Sequence, residues 1–463
     1  MSTTIAAPVG LYGADATAPE QRDALTGGDV PVAVYGLGKM GLPLATAFAD
    51  VTGNVVGADV DPDVVASVND GDAHVVGEPG LDERVAEMVE RGALDAVADP
   101  TEAADRARVH VVIVPTLVTD ESEPDLSVVR SVTRDVGTGL AAGDTVLFES
   151  TLPPRTCEDD LLPILEAESG LDAEEFGLAF CPERTLSGRA LADIRDGHPK
   201  VVGGVDEEST RVAELVYGEL TDQPVVAVSD ATTAEAVKVY EGVYRDVNIA
   251  LANELARHAD DLAIDVTEAI AAANTQPYCE LHDPGAGVGG HCIPYYPHFL
   301  LDRVEGDSPV VSTARAVNDA MPAFTANLAL DGLASVGTRP EDADVLVLGL
   351  TYRPGVEEIR ASPALGVVET LADAGATVTA TDPLTPDAAP FEAAGASVES
   401  VGAVVDETFD AAVLVTSQDV FDDIDVAALG PADRAIVVAD GRQELAELRD
   451  DDAVVYRGVG LHE

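Results

Sequence analysis

The feature that most constrains the fold is a glycine-rich turn between a short strand and a helix. An apolar run over residues 30–35 predicts the strand, and Gly36-Leu37-Gly38-Lys39-Met40-Gly41 follows it directly. A helical pattern then continues to Phe48. This arrangement brings backbone amides and a helix N-terminus to one point, where a pyrophosphate can bind. The turn therefore predicts an α/β domain that binds a dinucleotide.

A carboxylate after the second predicted strand indicates which dinucleotide binds. The strand over residues 55–58 ends at Asp59, about 20 residues after the glycine turn. A carboxylate there accepts hydrogen bonds from ribose hydroxyls and repels a 2′-phosphate, so we predict NAD rather than NADP. The residues predicted to contact NAD are Gly36, Gly38, Lys39, Met40, Gly41, Asp59, Pro115, Thr116 and Thr151.

Three further predicted strands, over residues 109–114, 145–148 and 176–180, each end in polar residues. The turns that follow them contain Pro115-Thr116, Glu149-Ser150-Thr151 and Cys181-Pro182-Glu183-Arg184. Any one of these turns could be an ordinary helix cap, because Ser and Thr favour that position. In open α/β sheets, ligands bind at the carboxyl ends of the strands. Three polar turns in succession therefore favour a binding site at one edge of the sheet.

The second half of the chain begins with helices and then repeats the α/β pattern. Apolar residues at helical spacing predict one or two long helices over residues 232–273, which we expect to offer a dimer surface, and another helix over 313–336. The repeated α/β region lacks the three-glycine turn, so it should bind a nucleotide by other contacts or only pack. Its predicted elements are strands at 345–350, 377–380, 411–415 and 435–438 and a helix at 363–374.

The predicted fold class is α/β, with two sheet-containing domains and a helical region between them. We expect an N-terminal Rossmann domain that binds NAD, a central long-helix region and a C-terminal Rossmann-like domain. The predicted boundaries are a disordered tail at 1–29, the NAD-binding domain at 30–229, the central region at 230–337 and the C-terminal domain at 338–463.

Two side chains suggest covalent chemistry. Cys292 ends a run in which four of the six residues from 285 to 290 are glycine, so its thiol could face a substrate. The alternative is a flexible loop followed by a packed cysteine. Lys238 lies three residues after Glu235, so an intrahelical ion pair is its alternative role. The chain keeps only three lysines, and a compact ammonium at one of them suits an oxyanion.

The charge balance excludes some partners. The chain has 85 acidic and 26 basic residues and a formal net charge of −59, so nucleic acid and anionic membranes are unsuitable partners. The acidic residues are scattered through periodic segments, as in haloarchaeal proteins that stay soluble in molar salt. Without a membrane-length apolar run or signal peptide, we expect a soluble cytoplasmic protein. The four cysteines form no metal-binding pattern, so we predict no metal.

Taken together, these motifs resemble the UDP-glucose/GDP-mannose dehydrogenase family from about Pro31 to Arg442. Residues 245–250 and His291 are most similar to its UDP-N-acetylmannosamine dehydrogenase branch. The motifs that carry the resemblance are Gly36-Leu37-Gly38 with Gly41-Leu42-Pro43, Val114-Pro115-Thr116, Glu149-Ser150-Thr151, Pro182-Glu183-Arg184, Glu235-Ala236-Val237-Lys238, Asn253-Glu254, Gly289-Gly290-His291-Cys292 and Ile359-Arg360-Ala361-Ser362-Pro363.

The resemblance implies that the C6 alcohol of a UDP-sugar is oxidised to a carboxylate with two NAD, in a homodimer. It implies that Cys292 captures the intermediate aldehyde as a thiohemiacetal, which becomes a thioester. Lys238 would stabilise oxyanions, while Thr151 and Glu183 would position and activate water. The residues that the resemblance places at the substrate are Glu183, Arg184, Lys238, Arg245, Asn248, Gly289, Gly290, His291, Arg360 and Arg442.

Two positions depart from the family pattern. Gly242 lies four residues after Lys238, where the family usually has Asn, and Tyr296 lies four residues after Cys292, where it usually has Asp. We predict that Tyr296 is catalytic and donates a hydrogen bond to the C6 oxygen or its water, with Asn248 behind it. Three alternatives remain open: a UDP-glucose 6-dehydrogenase, a single-hydride β-hydroxyacid dehydrogenase, and a nucleotide-sugar-binding homologue without catalysis.

Overall fold

A computed structural model describes residues 10–119, 122–186 and 188–462 of the chain. The chain forms two compact units: unit 1 is Met1–Tyr240 with His298–Glu305, and unit 2 is Glu241–Pro297 with Gly306–Glu463. The predicted central region, 230–337, therefore does not form a unit of its own. The predicted domain boundaries stay a prediction, whereas the α/β fold class is confirmed.

Unit 1 contains one eight-stranded sheet and a short hairpin. A π-helical turn, Cys157–Leu161, leads into its seventh helix. The strands are β1 (Val32–Tyr35), β2 (Val55–Ala58), β3 (Leu94–Val97), β4 (Val109–Val112), β5 (Leu117–Val118), β6 (Pro124–Asp125), β7 (Thr145–Phe148), β8 (Gly177–Phe180), β9 (Lys200–Gly204) and β10 (Val225–Ala227). The helices are α1 (Ala18–Thr26), α2 (Gly41–Thr52), α3 (Pro62–Asn69), α4 (Leu81–Glu90), α5 (Pro100–Arg106), α6 (Ser127–Gly139), α7 (Leu162–Ser169), α8 (Ala190–Asp196) and α9 (Glu207–Leu220).

The strand order of the large sheet is β10-β9-β8-β7-β4-β1-β2-β3, and only the β8–β9 pair is antiparallel. The order reverses at β1, which lies between β2 and β4, and ligands bind at such a reversal in open α/β sheets. Strands β4, β7 and β8 are neighbours. The three polar turns predicted from the sequence therefore do follow adjacent strands at one edge of the sheet.

The core of unit 1 lies on both faces of this sheet. Val32 and Val34 of β1 belong to one hydrophobic cluster, and Ala33 and Tyr35 belong to the other. Successive strand residues point to opposite faces, so a strand that is buried on both sides must be apolar throughout. This explains why β1 appears in the sequence as a continuous apolar run.

The prediction of a disordered tail at 1–29 is wrong for residues 10–29; residues 1–9 lie outside the described residues. Leu11 and Leu25 are each 1% exposed and join the core of unit 1. Helix α1 begins with a capping box, in which Thr17 and Glu20 satisfy each other's backbone amides. Gln21 donates a hydrogen bond to the Leu11 carbonyl at 3.0 Å. The segment has no apolar period because only a few of its side chains reach the core.

Unit 2 contains a six-stranded parallel sheet in the order β13-β12-β11-β14-β15-β16. Its helices α10 and α13 also include residues of unit 1. The strands are β11 (Asp344–Leu348), β12 (Thr377–Thr381), β13 (Ala396–Val398), β14 (Ala411–Leu414), β15 (Ile436–Asp440) and β16 (Val454–Gly458). The helices are α10 (Ala231–Ala256), α11 (Ala259–Leu262), α12 (Val266–Ala273), α13 (Cys292–Leu301), α14 (Pro309–Asp319), α15 (Met321–Ser335), α16 (Pro363–Asp373), α17 (Ala389–Ala393) and α18 (Val401–Val404).

The two predicted helical stretches are interrupted where local chemistry stops a helix. Residues 232–273 form α10, α11 and α12, because Ala263 adopts a positive φ of 51° and Asp265 caps α12 by accepting from two of its amides. Residues 313–336 form α14 and α15, and Pro322 in the first turn of α15 marks the break. None of the described helices is both long and apolar enough to cross a membrane.

Candidate active site

The glycine turn of unit 1 forms a cradle that leaves room for a phosphate. A Cβ atom at Gly36 would lie 2.7 Å from the Ile113 carbonyl oxygen, and one at Gly41 would lie 1.8 Å from the Gly36 oxygen. Both positions therefore need glycine for packing. Gly38 is exposed, and a Cβ there would have no atom within 4 Å among the described residues. Glycine at this position keeps open the space that a pyrophosphate would fill.

Helix α2 and Asp59 complete a site that fits NAD. Met40 is the N-cap residue of α2 and makes no side-chain cap. The Leu42 amide donates to the Gly38 carbonyl at 3.1 Å and Pro43 has no amide hydrogen, so the Gly41 amide and the helix dipole are what this end offers to an anion. Asp59 follows β2 and accepts a hydrogen bond from the Leu37 amide at 2.8 Å. This bond holds the carboxylate at the edge where the two ribose hydroxyls would bind. Lys39, in the glycine turn, and Pro115, after β4, are exposed.

The turns after β4 and β7 are joined by hydrogen bonds. The Thr116 hydroxyl donates to the Thr151 carbonyl at 2.7 Å, and the Val114 amide donates to the Ser150 hydroxyl at 2.9 Å. Ser150 and Glu149 are buried, so these two side chains of the predicted polar turn support the edge from inside. Thr151 is half-buried and follows them at the edge. Its contact with NAD or water stays a prediction.

Lys238 lies beside the backbone of Glu183, while the roles that the resemblance implies for these two residues stay predictions. Its ammonium donates a hydrogen bond to the Glu183 carbonyl, and the Glu183 carboxylate accepts one from the Thr185 amide. Arg184 donates to the Pro199 carbonyl at 3.0 Å. Met40, Glu183 and Arg184 line one pocket in unit 1. The structure thus groups three of the predicted site residues around one space.

Lys200 was missed by the sequence analysis, although it lines the same pocket. Its ammonium contacts the buried Glu149 carboxylate at 2.8 Å, and the Tyr217 hydroxyl donates to the same carboxylate at 2.5 Å. Burial raises the pKa of Glu149, and Lys200 opposes that rise. Lys200 is one of only three lysines in the chain. The scarcity that drew attention to Lys238 therefore applied equally to Lys200.

The predicted alternative of an ion pair between Glu235 and Lys238 is wrong. Glu235 is fully buried, and its carboxylate accepts hydrogen bonds from the Arg155 amide at 2.6 Å and the Cys157 amide at 2.8 Å. Spacing along one helix suggested the pair, but each side chain contacts a different loop. Glu235 thus connects α10 to the loop that follows Thr151.

In unit 2, Cys292 is exposed at the first residue of α13. The first amides of a helix have no intrahelical acceptor and favour negative charge nearby. A thiolate or an oxyanion formed on an adduct at Cys292 would therefore be stabilised. The alternative of a packed core thiol therefore does not apply to Cys292. Cys157 and Cys181, by contrast, are both buried.

The glycines before Cys292 pack against protein atoms rather than facing open space. A Cβ at Gly289 would lie 2.7 Å from the Ala361 carbonyl oxygen, and Gly290 has a φ of 86° with its α-carbon facing the Tyr352 ring. The Gly290 amide donates to the Arg360 carbonyl at 2.9 Å. The glycines therefore let this loop pack closely on the segment that contains Arg360. A direct contact of Gly289 or Gly290 with substrate stays a prediction.

Arg442 lies beside the start of the same loop. A Cβ at Gly285 would lie 2.7 Å from the Arg442 Nη1 atom, and Arg442 Nε donates to the Val415 carbonyl at 3.1 Å. Arg442 follows β15, so it lies at the carboxyl edge of the second sheet. Burial lowers the pKa of its guanidinium. The structure thus brings the Cys292 loop together with Arg360 and Arg442, two of the three arginines of unit 2 that were predicted to contact substrate.

A buried polar network holds the start of the Cys292 loop. The Gly285 amide donates to Asn253 at 2.9 Å, and Asn253 donates to Asn318 at 2.8 Å. Asn318 in turn donates to Asp246, which also pairs with Arg315. Burial raises the pKa of Asp246, and Arg315 opposes that rise. Asn253 had been noted only as part of a motif, because its partner is 32 residues away in the sequence.

The two departures from the family pattern touch each other. A Cβ at position 242 would lie 2.2 Å from Cδ2 of Tyr296, so the tyrosine ring occupies the space of a side chain at 242. Tyr296 is 7% exposed. Tyrosine at 296 therefore requires glycine at 242. This contact gives the ring a packing role, and the predicted hydrogen bond from its hydroxyl stays untested.

Three other predicted substrate residues, Arg245, Asn248 and His291, also belong to unit 2. Arg245 is exposed, and the side-chain Nδ2 of Asn248 donates to the Tyr244 carbonyl of its own helix at 2.7 Å. The His291 ring packs edge-on against Tyr295 with 6.2 Å between the ring centres. Contact of these three side chains with substrate stays a prediction.

Comparison with known proteins covers almost the whole chain. Models of the UDP-glucose/GDP-mannose dehydrogenase family match residues 30–221 as its NAD binding domain, 232–320 as its central domain and 346–447 as its UDP binding domain. The chain is 36% identical over 430 residues to UDP-N-acetyl-D-mannosamine dehydrogenase of Pyrococcus horikoshii, with 93% of this chain and 99% of that protein covered.

Solved structures show the same fold. A structure of the Pyrococcus horikoshii UDP-D-ManNAc dehydrogenase superposes with a TM-score of 0.83 at 35% identity and covers 93% of this chain and 99% of that one. A UDP-glucose dehydrogenase from Pyrobaculum islandicum has a TM-score of 0.80 at 27% identity, with 93% and 98% covered.

The glycine cradle, the open helix end and Asp59 define an NAD-dependent oxidoreductase with two Rossmann-type sheets. The chain belongs to the UDP-glucose/GDP-mannose dehydrogenase family, a family of nucleotide-sugar dehydrogenases. Membership removes the single-hydride β-hydroxyacid dehydrogenase from the alternatives, because the UDP binding domain spans residues 346–447.

Proposed function

We propose that this chain oxidises the C6 primary alcohol of a UDP-sugar to the uronic acid, with UDP-N-acetyl-D-mannosamine as the best candidate substrate. The observation that carries the proposal is the exposed Cys292 thiol at the start of α13, at the end of a loop packed on Arg360 and Arg442. The choice of sugar is supported by relatives with that name at 33–36% identity.

The proposed reaction uses the thiol to divide a four-electron oxidation into two steps. NAD would accept the hydride in each step. The alcohol first loses a hydride from C6 and a proton from its oxygen, which gives an aldehyde. The Cys292 sulfur adds to that carbon, and protonation of the oxygen gives a thiohemiacetal. Loss of the second hydride from C6 and of the hydroxyl proton gives a thioester. Water then adds, the C–S bond breaks, and the acid and the thiol are released.

In this reaction, residues of unit 1 would stabilise the oxygen anions and position the water that attacks the thioester. We assign Lys238 to stabilise the oxygen anions, because an ammonium is a compact donor of three hydrogen bonds. Its bond to the Glu183 carbonyl supports this assignment by fixing the ammonium. Thr151 and Glu183 are assigned to position and activate water. Arg360 and Arg442 would hold the diphosphate of the substrate, since guanidinium groups bind phosphate oxygens in pairs.

The role of Tyr296 can be separated from its packing. Tyr296→Phe keeps the ring over Gly242 and removes only the hydroxyl. If the hydroxyl donates to the C6 oxygen or its water, kcat should fall at least about tenfold with little change in KM. Wild-type activity of Tyr296→Phe would show that the tyrosine acts only by packing against Gly242.

Initial rates on a set of sugars test the proposed function. The substrates are UDP-N-acetylmannosamine, UDP-glucose, UDP-N-acetylglucosamine and GDP-mannose, assayed in molar KCl because a net charge of −59 predicts a salt requirement. We expect the highest kcat/KM with UDP-N-acetylmannosamine. A higher value with UDP-glucose would favour the UDP-glucose 6-dehydrogenase, and no NADH with any sugar would favour a binding protein without catalysis.

We also propose that the chain forms a homodimer through α10. Tyr244, Leu251 and Leu255 are 53%, 44% and 36% exposed, and their spacing of seven and four residues places them on one side of the helix. A second copy of the chain would bury this apolar stripe. Light scattering in molar KCl should give twice the monomer mass, and Tyr244→Asp should reduce it to the monomer mass.

A further inference from the structure

We propose that Glu235 is a positioning residue that holds the loop of residues 151–157 in its active arrangement. No catalytic or binding role has been assigned above to this side chain. The inference rests on the proposed function in one respect: Thr151, at the start of the loop, is the residue assigned to position water. The structural part of the proposal, that Glu235 holds the loop, can be measured without any turnover.

Both oxygens of the Glu235 carboxylate accept hydrogen bonds from the loop. One oxygen accepts from the Arg155 amide at 2.6 Å, and the other accepts from the Cys157 amide at 2.8 Å. Glu235 has no exposed surface. A backbone amide buried without an acceptor is costly, so the two bonds constrain the loop strongly. Only a group with two acceptor oxygens at this reach can satisfy both amides.

The loop needs such a restraint because its conformation is unfavourable. Arg155 has a φ of 74°, in the left-handed region that side chains other than glycine rarely adopt. The residue lies between Pro154 and the π-helical turn that begins at Cys157. At the other end of the loop, the Thr116 hydroxyl holds the Thr151 carbonyl at 2.7 Å. The loop is therefore held at both ends, and Glu235 holds the strained one.

Glu235 also shares a helix turn with Lys238. The two residues are three positions apart on α10, and Lys238 donates to the carbonyl of Glu183 in the turn after β8. One turn of α10 thus contacts the turns that follow β7 and β8. A shift of the Glu235 contact would change the position of Thr151 relative to Lys238.

The surroundings of Glu235 make its ionisation sensitive to pH near neutrality. Burial raises its pKa to about 7, while hydrogen bonds from Cys157 and Arg155 and the charge of Arg303 lower it. Glu158, which is adjacent to Cys157, acts on the pKa of the Cys157 thiol rather than on that of Glu235. Above pH 7 the ionised carboxylate accepts from both amides. Below pH 7 one oxygen carries a proton and accepts poorly, so the loop should loosen as the pH falls.

Glu235→Gln is the direct test, because glutamine has the same shape but only one acceptor oxygen. We expect faster hydrogen–deuterium exchange of the amides in residues 152–161 and a kcat at least about tenfold lower. The KM for NAD should stay within about twofold, since the glycine cradle is unchanged. The acid limb of the wild-type kcat profile near pH 7 should be absent in the variant.

Glu158→Gln is the matched control. It makes the same substitution at a partly exposed glutamate one residue after Cys157, whose amide donates to Glu235. It should leave exchange, kcat and the pH profile unchanged. Wild-type exchange and wild-type kcat in Glu235→Gln would overturn the proposal. Faster exchange with unchanged kcat would overturn the catalytic part and leave Glu235 as a structural cap.

Two features keep the test decisive. If Glu235→Gln does not fold, hydrogen–deuterium exchange of the wild-type loop can be measured across pH 5.5–8.5 and corrected for the intrinsic rate. The loop amides should be less protected at pH values below about 7 than above it. Protection that does not change with pH would overturn the proposal. If no UDP-sugar is oxidised, the proposed function fails, but the exchange result still decides whether Glu235 holds the loop.

Discussion

The two sheets of the molecule share the order of six parallel strands and differ at the loop that follows the first strand. These strands are β3-β2-β1-β4-β7-β8 in unit 1, where β9 and β10 extend the sheet, and β13-β12-β11-β14-β15-β16 in unit 2. Both have the strand order of a doubly wound fold, with β1 and β11 at the reversal. Gly36 and Gly349 end these strands with φ values of 91° and 89°. The next residues, Leu37 and Leu350, each donate an amide hydrogen bond at 2.8 Å to an aspartate that follows the second strand of the sheet.

The difference begins one residue later. Gly38 is exposed with open space around it, whereas Thr351 in the corresponding position is buried and its hydroxyl contacts Asp382 at 2.9 Å. Gln418 donates to the same threonine hydroxyl at 2.8 Å. Asp59 accepts from the backbone amides of Leu37 and Asp61, whereas its counterpart Asp382 accepts from the side chains of Thr351 and Gln418 as well as from backbone amides.

The following helices differ in the same way. Helix α2 begins directly after the loop and has no side-chain cap among the described residues. Helix α16 begins at Pro363, twelve residues beyond Thr351, and the Ser362 side chain accepts from its Ala364 amide. An uncapped helix end can bind phosphate, and a capped one has already met its partner. The NAD-binding sheet of unit 1 therefore differs from the sheet of unit 2 in its open hydrogen-bonding groups rather than in its fold.

Filling the cradle of unit 1 should have the largest effect. Gly38→Val places a branched side chain where the pyrophosphate would bind, so we expect NAD affinity to fall more than about 100-fold, measured by titration calorimetry in molar KCl. Thr351→Val is the matched change in unit 2. It removes a buried hydroxyl and should lower the free energy of unfolding by about 1–3 kcal/mol without changing NAD affinity. Equal losses of NAD affinity in both variants would break the comparison.

Substitution of the two aspartates should have the next largest effects, on NAD binding for Asp59 and on stability for Asp382. Asp59→Ala removes the ribose acceptor and the repulsion of a 2′-phosphate, so NAD should bind about tenfold more weakly and the preference over NADP should shrink. Asp382→Ala should instead destabilise unit 2 by about 2–3 kcal/mol, because Asp382 accepts from the Leu350 and Thr351 amides. An unchanged NAD/NADP preference in Asp59→Ala would show that other groups hold the ribose.

A substitution at the carboxyl edge of the second sheet should have a smaller effect and should show which ligand this edge binds. Arg442→Lys keeps the charge and loses the forked geometry. We expect the KM for the UDP-sugar to rise about fivefold, while the KM for NAD stays constant. A change in the KM for NAD instead of the sugar would contradict the assignment of this edge to the substrate.

The sequence predicted the elements whose chemistry is local. Strands β2 and β7 were predicted with their observed bounds, because a doubly buried strand is apolar throughout. The glycine turn and Asp59 were predicted from spacing alone. The buried segment at 10–29 was missed, since isolated core contacts such as Leu11 leave no period.

The candidate site was less predictable where contacts are long-range. Glu235 and Arg155 are 80 positions apart, and spacing on one helix offered only a pair with Lys238 as an alternative, which the structure does not contain. Gly242 and Tyr296 each looked like a missing catalytic group, and only the fold shows that one ring explains both departures. The pattern of residues indicated where the chemistry lies, but not which buried groups support it.

The most direct test of the account is the amount of NADH formed for each UDP-sugar consumed. Oxidation of an alcohol to an acid through the Cys292 thioester requires two hydride transfers, so the wild-type enzyme should form two NADH per sugar. Cys292→Ala should form no acid, although a trace of single hydride transfer is compatible with its structure. One NADH per sugar in the wild type, or acid formed at the wild-type rate by Cys292→Ala, would contradict the central claim.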